Sequence, residues 1–225
     1  MTIDEERVSS YIESLDQGIA SYLDELALSA RSQNVPIIRN AMISFMRTML
    51  ALHKPMTILE VGCAIGFSSL LMREYGPKDC QIVTIENYEP RIIEAKGNFE
   101  KYDNTKQITL IEGDAVCVLS QIGIEQEYQN LPDKYDLIFL DAAKGQYINI
   151  YNDVKRLLKQ GGLLIADNVL QEGDILESRY AVTRRDRTIH TRMREFLYQL
   201  TTDADYTTSI LQDADGIAIS VKNNE

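Results

Sequence analysis

The sequence is poor in the residues on which several common enzyme chemistries depend. It contains only two histidines, His53 and His190, so a histidine-based metal cluster or a Ser-His-Asp triad is not expected. Its three cysteines, Cys63, Cys80 and Cys117, are odd in number, far apart and without a CxxC pair. We therefore expect neither a disulfide framework nor a zinc site.

Long apolar stretches are also missing, because no run is long enough to span a bilayer. The first residues, "MTIDEERVSSYIESL", are acidic where a secretion signal would be basic and then apolar. With 44% hydrophobic and 25% charged residues, the composition is typical of an ordinary soluble globular protein. We expect a cytoplasmic protein with no membrane partner.

Positive charge is scarce overall, and the net charge of −11 argues against a broad nucleic-acid-binding surface. Arginine is nevertheless concentrated in residues 178–196, where only Asp186 and Glu195 oppose it. A partner responds to the local potential, so this stretch predicts a cationic patch on an acidic body. The arginines concerned are Arg179, Arg184, Arg185, Arg187, Arg192 and Arg194.

Five short apolar runs recur at intervals that leave room for helices, such as "SSLLMREY" and "EPRIIEAKGNFEKY". Alternating strands and helices predict βαβ units and a parallel sheet. The runs are apolar throughout rather than alternating, which is typical of strands covered by helices on both faces. They are "TILEV" (57–61), "QIVTIE" (81–86), "QITLIEG" (107–113), "YDLIFLD" (135–141) and "GLLIADN" (162–168).

The end of the chain differs from this pattern. Two strand-like runs, 206–212 and 216–222, are joined by "DADG", which predicts a hairpin with Asp and Gly in the turn. We therefore predict an α/β fold with a mostly parallel seven-stranded sheet, an antiparallel C-terminal hairpin and helices on both faces.

The first fifty residues are predicted to be helical, with an interruption around Pro36. We find no repeat, linker or second core, and we predict one domain over residues 1–225, in which residues 1–50 form a helical extension of the core at 51–225. Thr2 with Glu5 fits a capping box. Apolar residues at helical spacing are Ile12, Leu15, Ile19, Leu23 and Leu26.

The stretch "ILEVGCAIGFSS" (58–69) predicts a strand, a glycine turn and the start of a helix. Gly62 and Gly66 would allow a close approach to a ligand, but the spacing differs from the GxGxxG of dinucleotide sites, which disfavours a nicotinamide dehydrogenase. Glu60 beside the turn suits a cationic amine. The alternative is a plain strand-to-helix turn without a ligand.

Acidic residues end the next strands too: Glu86 lies twenty positions beyond Gly66, and Asp114 with Ala115 follows the third run. Each acid alone is more often a helix cap. Four strands in succession ending in such residues favour a ligand, because ligands bind at the carboxyl ends of these strands. The joint pattern resembles an S-adenosylmethionine site with the amine near Glu60 and Gly62, the ribose on Glu86 and the adenine beside Asp114.

Asp141 and Asp167 follow two strands predicted to be adjacent, and Asn168 adds an amide oxygen. Three such oxygens suit a hard cation such as Mg²⁺ or Mn²⁺. A cation there would hold a substrate hydroxyl and lower its pKa, and Lys144 would remove the proton or stabilise the charge. The alternative for Lys144 is a solvated lysine at a helix start.

Together, "ILEVGCAIGFSS", "TIE", "EGDA", "FLDAAKGQY" and "ADNVL" resemble the cation-dependent class I methyltransferases, which include catechol and caffeoyl-coenzyme A O-methyltransferases. The resemblance implies a Rossmann-like fold and a homodimer. It implies magnesium at Asp141, Asp167 and Asn168, and a catalytic base at Lys144. Positions matching the family's methyl-donor contacts are Ile38, Glu60, Ser68, Glu86, Ala115 and Asp141.

Within the family, "NVPII", "DAAKGQY" and the arginine stretch are most similar to bacterial tRNA 5-hydroxyuridine methyltransferases. This implies that Arg184, Arg185 and Arg187 bind tRNA near the anticodon. Tyr147 and Tyr180 are candidates for stacking on a base, and the alternative for each is a position in the core. Asp186 departs from that pattern, and a solvated arginine helix face is the alternative.

Two other functions are compatible with the sequence. The same chemistry on a small catechol-like or phenolic acceptor agrees better with the net charge of −11. The second of these functions is that of a binding protein that keeps the fold without catalysis. Such a protein would have no need of Asp141, Asp167, Asn168 and Lys144.

Overall fold

The computed structural model describes residues 5–223, apart from the side chains at positions 5, 6, 9 and 214. Its strands are β1 (Thr57–Val61), β2 (Gln81–Glu86), β3 (Ile108–Glu112), β4 (Tyr135–Leu140), β5 (Leu158–Ala166), β6 (Tyr206–Leu211) and β7 (Ile217–Lys222). Its helices are α1 (Glu5–Ser14), α2 (Ser21–Ser32), α3 (Asn40–His53), α4 (Phe67–Tyr75), α5 (Glu89–Tyr102), α6 (Ala115–Gln121), α7 (Tyr147–Leu157) and α8 (Arg187–Thr202).

The strands form one sheet in the order β3-β2-β1-β4-β5-β7-β6. Strands β1 to β5 pair in parallel, whereas β7 is antiparallel to both β5 and β6. The predicted mostly parallel sheet with an antiparallel C-terminal hairpin is confirmed.

Helices bury both faces of the central strands, which explains why the sequences of β1, β2, β4 and the second half of β5 are mostly apolar. Leu59 and Ile138 share one apolar cluster with Tyr151 of α7. Ile58 and Phe139 point the other way and share a second cluster with residues of α2, α3 and α4. Alternation along each strand thus supplies both layers of the core.

The N-terminal part is helical as predicted, but the run of apolar residues from Ile12 to Leu26 is not one helix. Residues 16–20 are non-helical, because Gly18 adopts a φ of +78° and its N–H binds the Asp16 carboxylate at 2.9 Å. The proposed capping pair of Thr2 and Glu5 lies outside the described side chains.

None of the helices in residues 5–223 has the length and apolarity to cross a membrane.

Chain order reverses between β1 and β4, since β2 and β3 lie to one side of β1 and β5 lies beyond β4. At such a switch point the connections after neighbouring strands diverge and leave a crevice at the carboxyl ends. The site described next occupies this crevice.

Candidate functional site

A cavity of about 770 Å³ opens at the carboxyl ends of β1, β2, β4 and β5, a volume within the usual range for small-molecule sites. It contains nearly every residue predicted from the sequence to bind a cofactor or a metal. The predicted residues on its wall are Ile38, Gly62, Ser68, Glu86, Asp114, Ala115, Asp141, Lys144, Asp167 and Asn168.

The turn after β1 can take its shape only with glycine at position 62. Gly62 has a φ of +91°, and a Cβ there would lie 2.4 Å from the backbone oxygen of Asp141. The turn therefore packs directly against the end of β4. This contact brings the glycine turn and the carboxylate of Asp141 to the same side of the cavity.

Glu60 is the predicted cofactor residue that the cavity does not contain. It is fully buried beneath the turn, where one carboxylate oxygen accepts hydrogen bonds from Ser69 and, at 2.6 Å, from Thr84. The other oxygen has no partner among the described residues, and burial raises the pKa of Glu60 to about 7. Glu60 therefore lies behind the turn rather than on the cavity wall, and its role at the cofactor site stays a prediction.

Glu86 lies on the cavity wall and is held by backbone N–H groups. Its Oε2 accepts from Ala64 at 2.9 Å, and its Oε1 accepts from Asn87 at 2.9 Å and Tyr88 at 3.0 Å. The carboxylate is thereby fixed between the turn after β1 and the turn after β2. A ligand hydroxyl can still donate to Oε2, because this oxygen accepts only one of these hydrogen bonds and has two lone pairs.

Asp114 is both a helix cap and part of the wall. Its Oδ1 accepts from Val116 at 3.0 Å and Cys117 at 3.3 Å, which caps α6. The capping alternative is thus observed for this side chain. Asp114 and Ala115 nevertheless line the cavity, so capping places them there.

The three predicted metal ligands come together at the ends of β4 and β5. The Nδ2 of Asn168 lies 3.4 Å from the Oδ1 of Asp141, and Asp167 lies on the same cavity wall as both. Burial and the charge of Asp141 raise the pKa of Asp167 to about 7. The two carboxylates therefore repel one another, and a cation between them would remove the penalty.

The donor set fits a hard divalent cation, because carboxylate and amide oxygens are what Mg²⁺ and Mn²⁺ prefer. A half-turn of the Asn168 amide would present its oxygen in place of its nitrogen, an assignment that depends on the hydrogen-bond network. Within residues 5–223 no three His, Cys, Asp or Glu side chains cluster as metal ligands. The amide of Asn168 would thus supply the third protein ligand beside the two carboxylates.

Lys144 points into the same site rather than into solvent. Its Nζ lies 3.2 Å from the Oδ1 of Asp141 and 3.5 Å from the backbone oxygen of Asp167. A short 3₁₀ turn, Lys144–Gln146, places it there. The lysine counters the negative charge of the two acids.

Tyr147 corrects one expectation, and its structural role is one that the sequence did not predict. It is fully buried, so it cannot stack on a nucleic-acid base. The single proton of its hydroxyl is shared between the backbone oxygens of Leu140 at 2.9 Å and Asp167 at 3.2 Å. Tyr147 thus ties together the strand ends that carry the two acids; the only sequence signal was an aromatic residue at a helix start.

The predicted RNA-binding arginines do not form a helix face. Arg184 and Arg185 are exposed and lie in turns before α8, whereas Arg187 begins the helix. The guanidinium of Arg187 turns back to the oxygens of Val182 at 3.4 Å and Tyr180 at 3.5 Å. The neighbouring Asp186 and Ile189 line the cavity, which places the arginines near its mouth. Tyr180 itself is 83% exposed.

The strand order and the site at the switch point define the Rossmann-like methyltransferase fold, as predicted. The sequence model of the O-methyltransferase family matches residues 12–223. The chain therefore belongs to the O-methyltransferase family, which confirms the family predicted from the motifs.

Relatives and a solved structure that are similar to this chain are named as methyltransferases too. The chain is 30% identical over 184 residues to a caffeoyl-CoA O-methyltransferase of Citrus natsudaidai, covering 78% of this chain and 75% of that one. It is 31% identical over 134 residues to a catechol O-methyltransferase of Niastella koreensis, covering 59% and 58%; with this and several plant enzymes, the match spans less than two thirds of the relative. A Podospora anserina methyltransferase bound to SAH superposes with a TM-score of 0.83 at 25% identity, covering 100% and 98%.

Proposed function

We propose that this protein transfers a methyl group from S-adenosylmethionine to a hydroxyl oxygen, with Mg²⁺ or Mn²⁺ held by Asp141, Asp167 and Asn168. The observation that carries the proposal is the convergence of these side chains, with Asn168 3.4 Å and Lys144 3.2 Å from Asp141, at one edge of a ligand-sized cavity. Family membership supports methyl transfer, and the SAH in the Podospora relative supports the donor.

The rest of the wall fits a nucleoside sulfonium donor. Glu86 would accept a hydrogen bond from a ribose hydroxyl at its Oε2, since backbone N–H groups fix the carboxylate and this oxygen keeps a free lone pair. Asp114 and Ala115 would contact the adenine. The amino-acid part would lie by Gly62, with Ser68 and Ile38 further along the wall, where the buried Glu60 adds negative charge behind the turn.

When bound, the donor supplies an electrophilic methyl group and the cation lowers the pKa of an acceptor hydroxyl. The protein's own contribution is positioning and charge compensation. Lys144, beside Asp141, stabilises negative charge on the acceptor oxygen; it accepts the hydroxyl proton only after losing its own. The methyl–sulfur bond breaks as the methyl–oxygen bond forms, giving a methyl ether and S-adenosylhomocysteine.

For the acceptor, we propose 5-hydroxyuridine at the tRNA wobble position, which would become 5-methoxyuridine. The exposed Arg184 and Arg185 beside the cavity mouth support it, because clustered arginine can anchor phosphates on an acidic protein. The exposed ring of Tyr180 could stack on a base.

The second candidate acceptor is a small catechol-like or phenolic compound. The names of the catechol and caffeoyl-CoA relatives favour it, as does the net charge of −11. We also propose a single-domain, cytoplasmic enzyme that forms a homodimer. A monomeric mass of about 25.6 kDa in light scattering would contradict the dimer.

One experiment separates these functions. Purified protein is incubated with methyl donor and Mg²⁺, or with excess EDTA, and offered either hydroxyuridine-bearing tRNA or a catechol. We expect methoxyuridine in the tRNA, lost with EDTA and restored by excess Mg²⁺. Turnover of the catechol alone would reject the RNA acceptor, and transfer that survives full chelation would reject the metal.

A further inference from the structure

The segment that follows β5 and carries Asp167 has an unusual backbone. Asn168, Gln171 and Glu172 have φ values of +54°, +52° and +53°, and Gly173 has +91°. Residues other than glycine seldom occupy this left-handed region. Contacts from outside the segment must therefore hold it in shape.

Those contacts come from the turn of the C-terminal hairpin, Asp213–Gly216. Two are backbone hydrogen bonds: Val169 N–H to the oxygen of Gly216 at 3.0 Å, and Leu170 N–H to the oxygen of Asp215 at 2.9 Å. They attach the first half of the segment to the turn.

The third contact uses a side chain. The Oδ1 of Asp215 accepts a hydrogen bond from the backbone N–H of Glu172 at 2.5 Å. Asp215 itself has a φ of +71°, so the residue that supplies this carboxylate also has a left-handed backbone. It restrains the second half of the segment, where left-handed residues are consecutive.

The turn and the segment are fitted closely to one another. A Cβ on Gly216 would lie 2.3 Å from the Cγ of Leu170 and 2.8 Å from its backbone nitrogen. Only glycine allows this approach. Elsewhere the hairpin contributes β6 and β7 to the sheet edge, away from the carboxyl ends of β1, β2 and β4.

We propose that Asp215 is a positioning residue for the metal site. By holding the N–H of Glu172, its carboxylate fixes the path of the segment and keeps Asp167 and Asn168 turned towards Asp141. Asp215 acts through the backbone and not as a ligand. This inference rests on the proposed function, because it concerns the same cation.

Two substitutions separate the hydrogen bond from the charge. Asp215→Asn keeps a side-chain oxygen and tolerates a left-handed backbone, whereas Asp215→Gly removes the oxygen and relieves the backbone. Asp213→Asn is the matched control, because Asp213 is an exposed acid of the same turn with no side-chain bond to the segment among the described contacts. Mn²⁺ affinity is measured by calorimetry, and hydrogen exchange of residues 168–176 is measured without metal.

We expect Asp215→Asn and Asp213→Asn to bind Mn²⁺ within about twofold of the wild type, and Asp215→Gly to bind it about tenfold more weakly, as when a supporting partner is lost. Exchange at Glu172 should accelerate only in Asp215→Gly. Equal losses of affinity in Asp215→Asn and Asp215→Gly, with unchanged exchange, would show a charge effect and overturn the inference, as would wild-type affinity in Asp215→Gly.

The proposed function can fail separately. If the wild-type protein binds no Mn²⁺, the metal site itself is rejected together with its positioning residue. If it binds Mn²⁺ and the substitutions leave affinity unchanged, only the role of Asp215 is rejected. Should Asp215→Gly not fold, unprotected exchange at Glu172 in the wild-type protein overturns the inference by itself.

Discussion

At the scale of single residues, the site depends on side chains whose position follows from their place after a strand. Asp141 and Asp167 each come directly after an apolar run, Asn168 follows Asp167, and parallel strands deliver such residues to one edge. Their convergence was therefore predictable. The burial of Glu60 was not, because the sequence does not show that Ser69 and Thr84 place hydroxyls around it.

Lys144 is expected to assist the chemistry rather than bind the cation. Lys144→Ala should lower kcat by about 100-fold, in the range of general acid–base contributions, while Mn²⁺ affinity changes little. Steady-state kinetics and Mn²⁺ titration measure the two effects. The exposed Lys78 provides the control, and Lys78→Ala should leave both unchanged. Wild-type kcat in Lys144→Ala would reject the role.

Glu60 should make the protein less stable as the pH rises. Its pKa is raised from 4.5 to about 7, so the folded state binds the proton more tightly than the unfolded state. The free energy of unfolding then falls between pH 4.5 and 7, by about 3 kcal/mol for such a shift.

Urea titrations in EDTA at pH 5 and pH 8 test this for Glu60. Glu60→Gln, which cannot ionise, should show a smaller loss of stability between the two pH values than the wild type. Equal losses in both proteins would mean that Glu60 carries no such shift. Asp167 has a raised pKa as well, and its contribution to the loss of stability remains in both proteins.

At the scale of elements, the strands were predictable and the breaks between helices were less so. Apolar, β-branched runs between helical segments specify buried parallel strands. The end of α1 depends instead on the backbone of Gly18, and the arginine stretch lies partly in turns before α8. Both are local choices that an average periodicity does not reveal.

The start of α7 holds the ends of β4 and β5 together through the hydroxyl of Tyr147. Tyr147→Phe should lower the free energy of unfolding by about 1 kcal/mol, as for a lost hydrogen bond, and weaken Mn²⁺ binding by several fold. Tyr151→Phe is the matched control, because it breaks a bond to Asp203 at 2.7 Å, away from the site.

Denaturant unfolding measures the free energy of unfolding of both phenylalanine variants, and calorimetry measures their Mn²⁺ affinity. We expect similar losses of stability and a change in metal affinity for Tyr147→Phe only. If neither variant or both variants alter Mn²⁺ binding, Tyr147 has no specific part in shaping the site.

At the scale of the whole molecule, an acidic protein carries a small group of exposed arginines next to its cavity. The net charge of −11 repels nucleic acid at long range, so binding of tRNA would depend on Arg184 and Arg185. The sequence showed the cluster but not its exposure, which follows from its location in turns.

Replacing both arginines should therefore affect tRNA alone. In Arg184→Ala/Arg185→Ala we expect KM for hydroxyuridine-bearing tRNA to rise at least about tenfold. The dependence of KM on salt should weaken by an amount that corresponds to the loss of about one to two phosphate contacts. Turnover of a small catechol should be unchanged. Methylation assays over a salt series measure this, and unchanged kinetics with tRNA would exclude these arginines from RNA binding.

The proposed chemistry depends on one cation shared by two acids and an amide, and anomalous diffraction from crystals grown with Mn²⁺ and S-adenosylhomocysteine tests for this cation most directly. We expect a single strong peak bounded by oxygens of Asp141, Asp167 and Asn168, each at about 2.1 Å. A map without a peak there, or with the metal bound elsewhere in the cavity, would contradict the account.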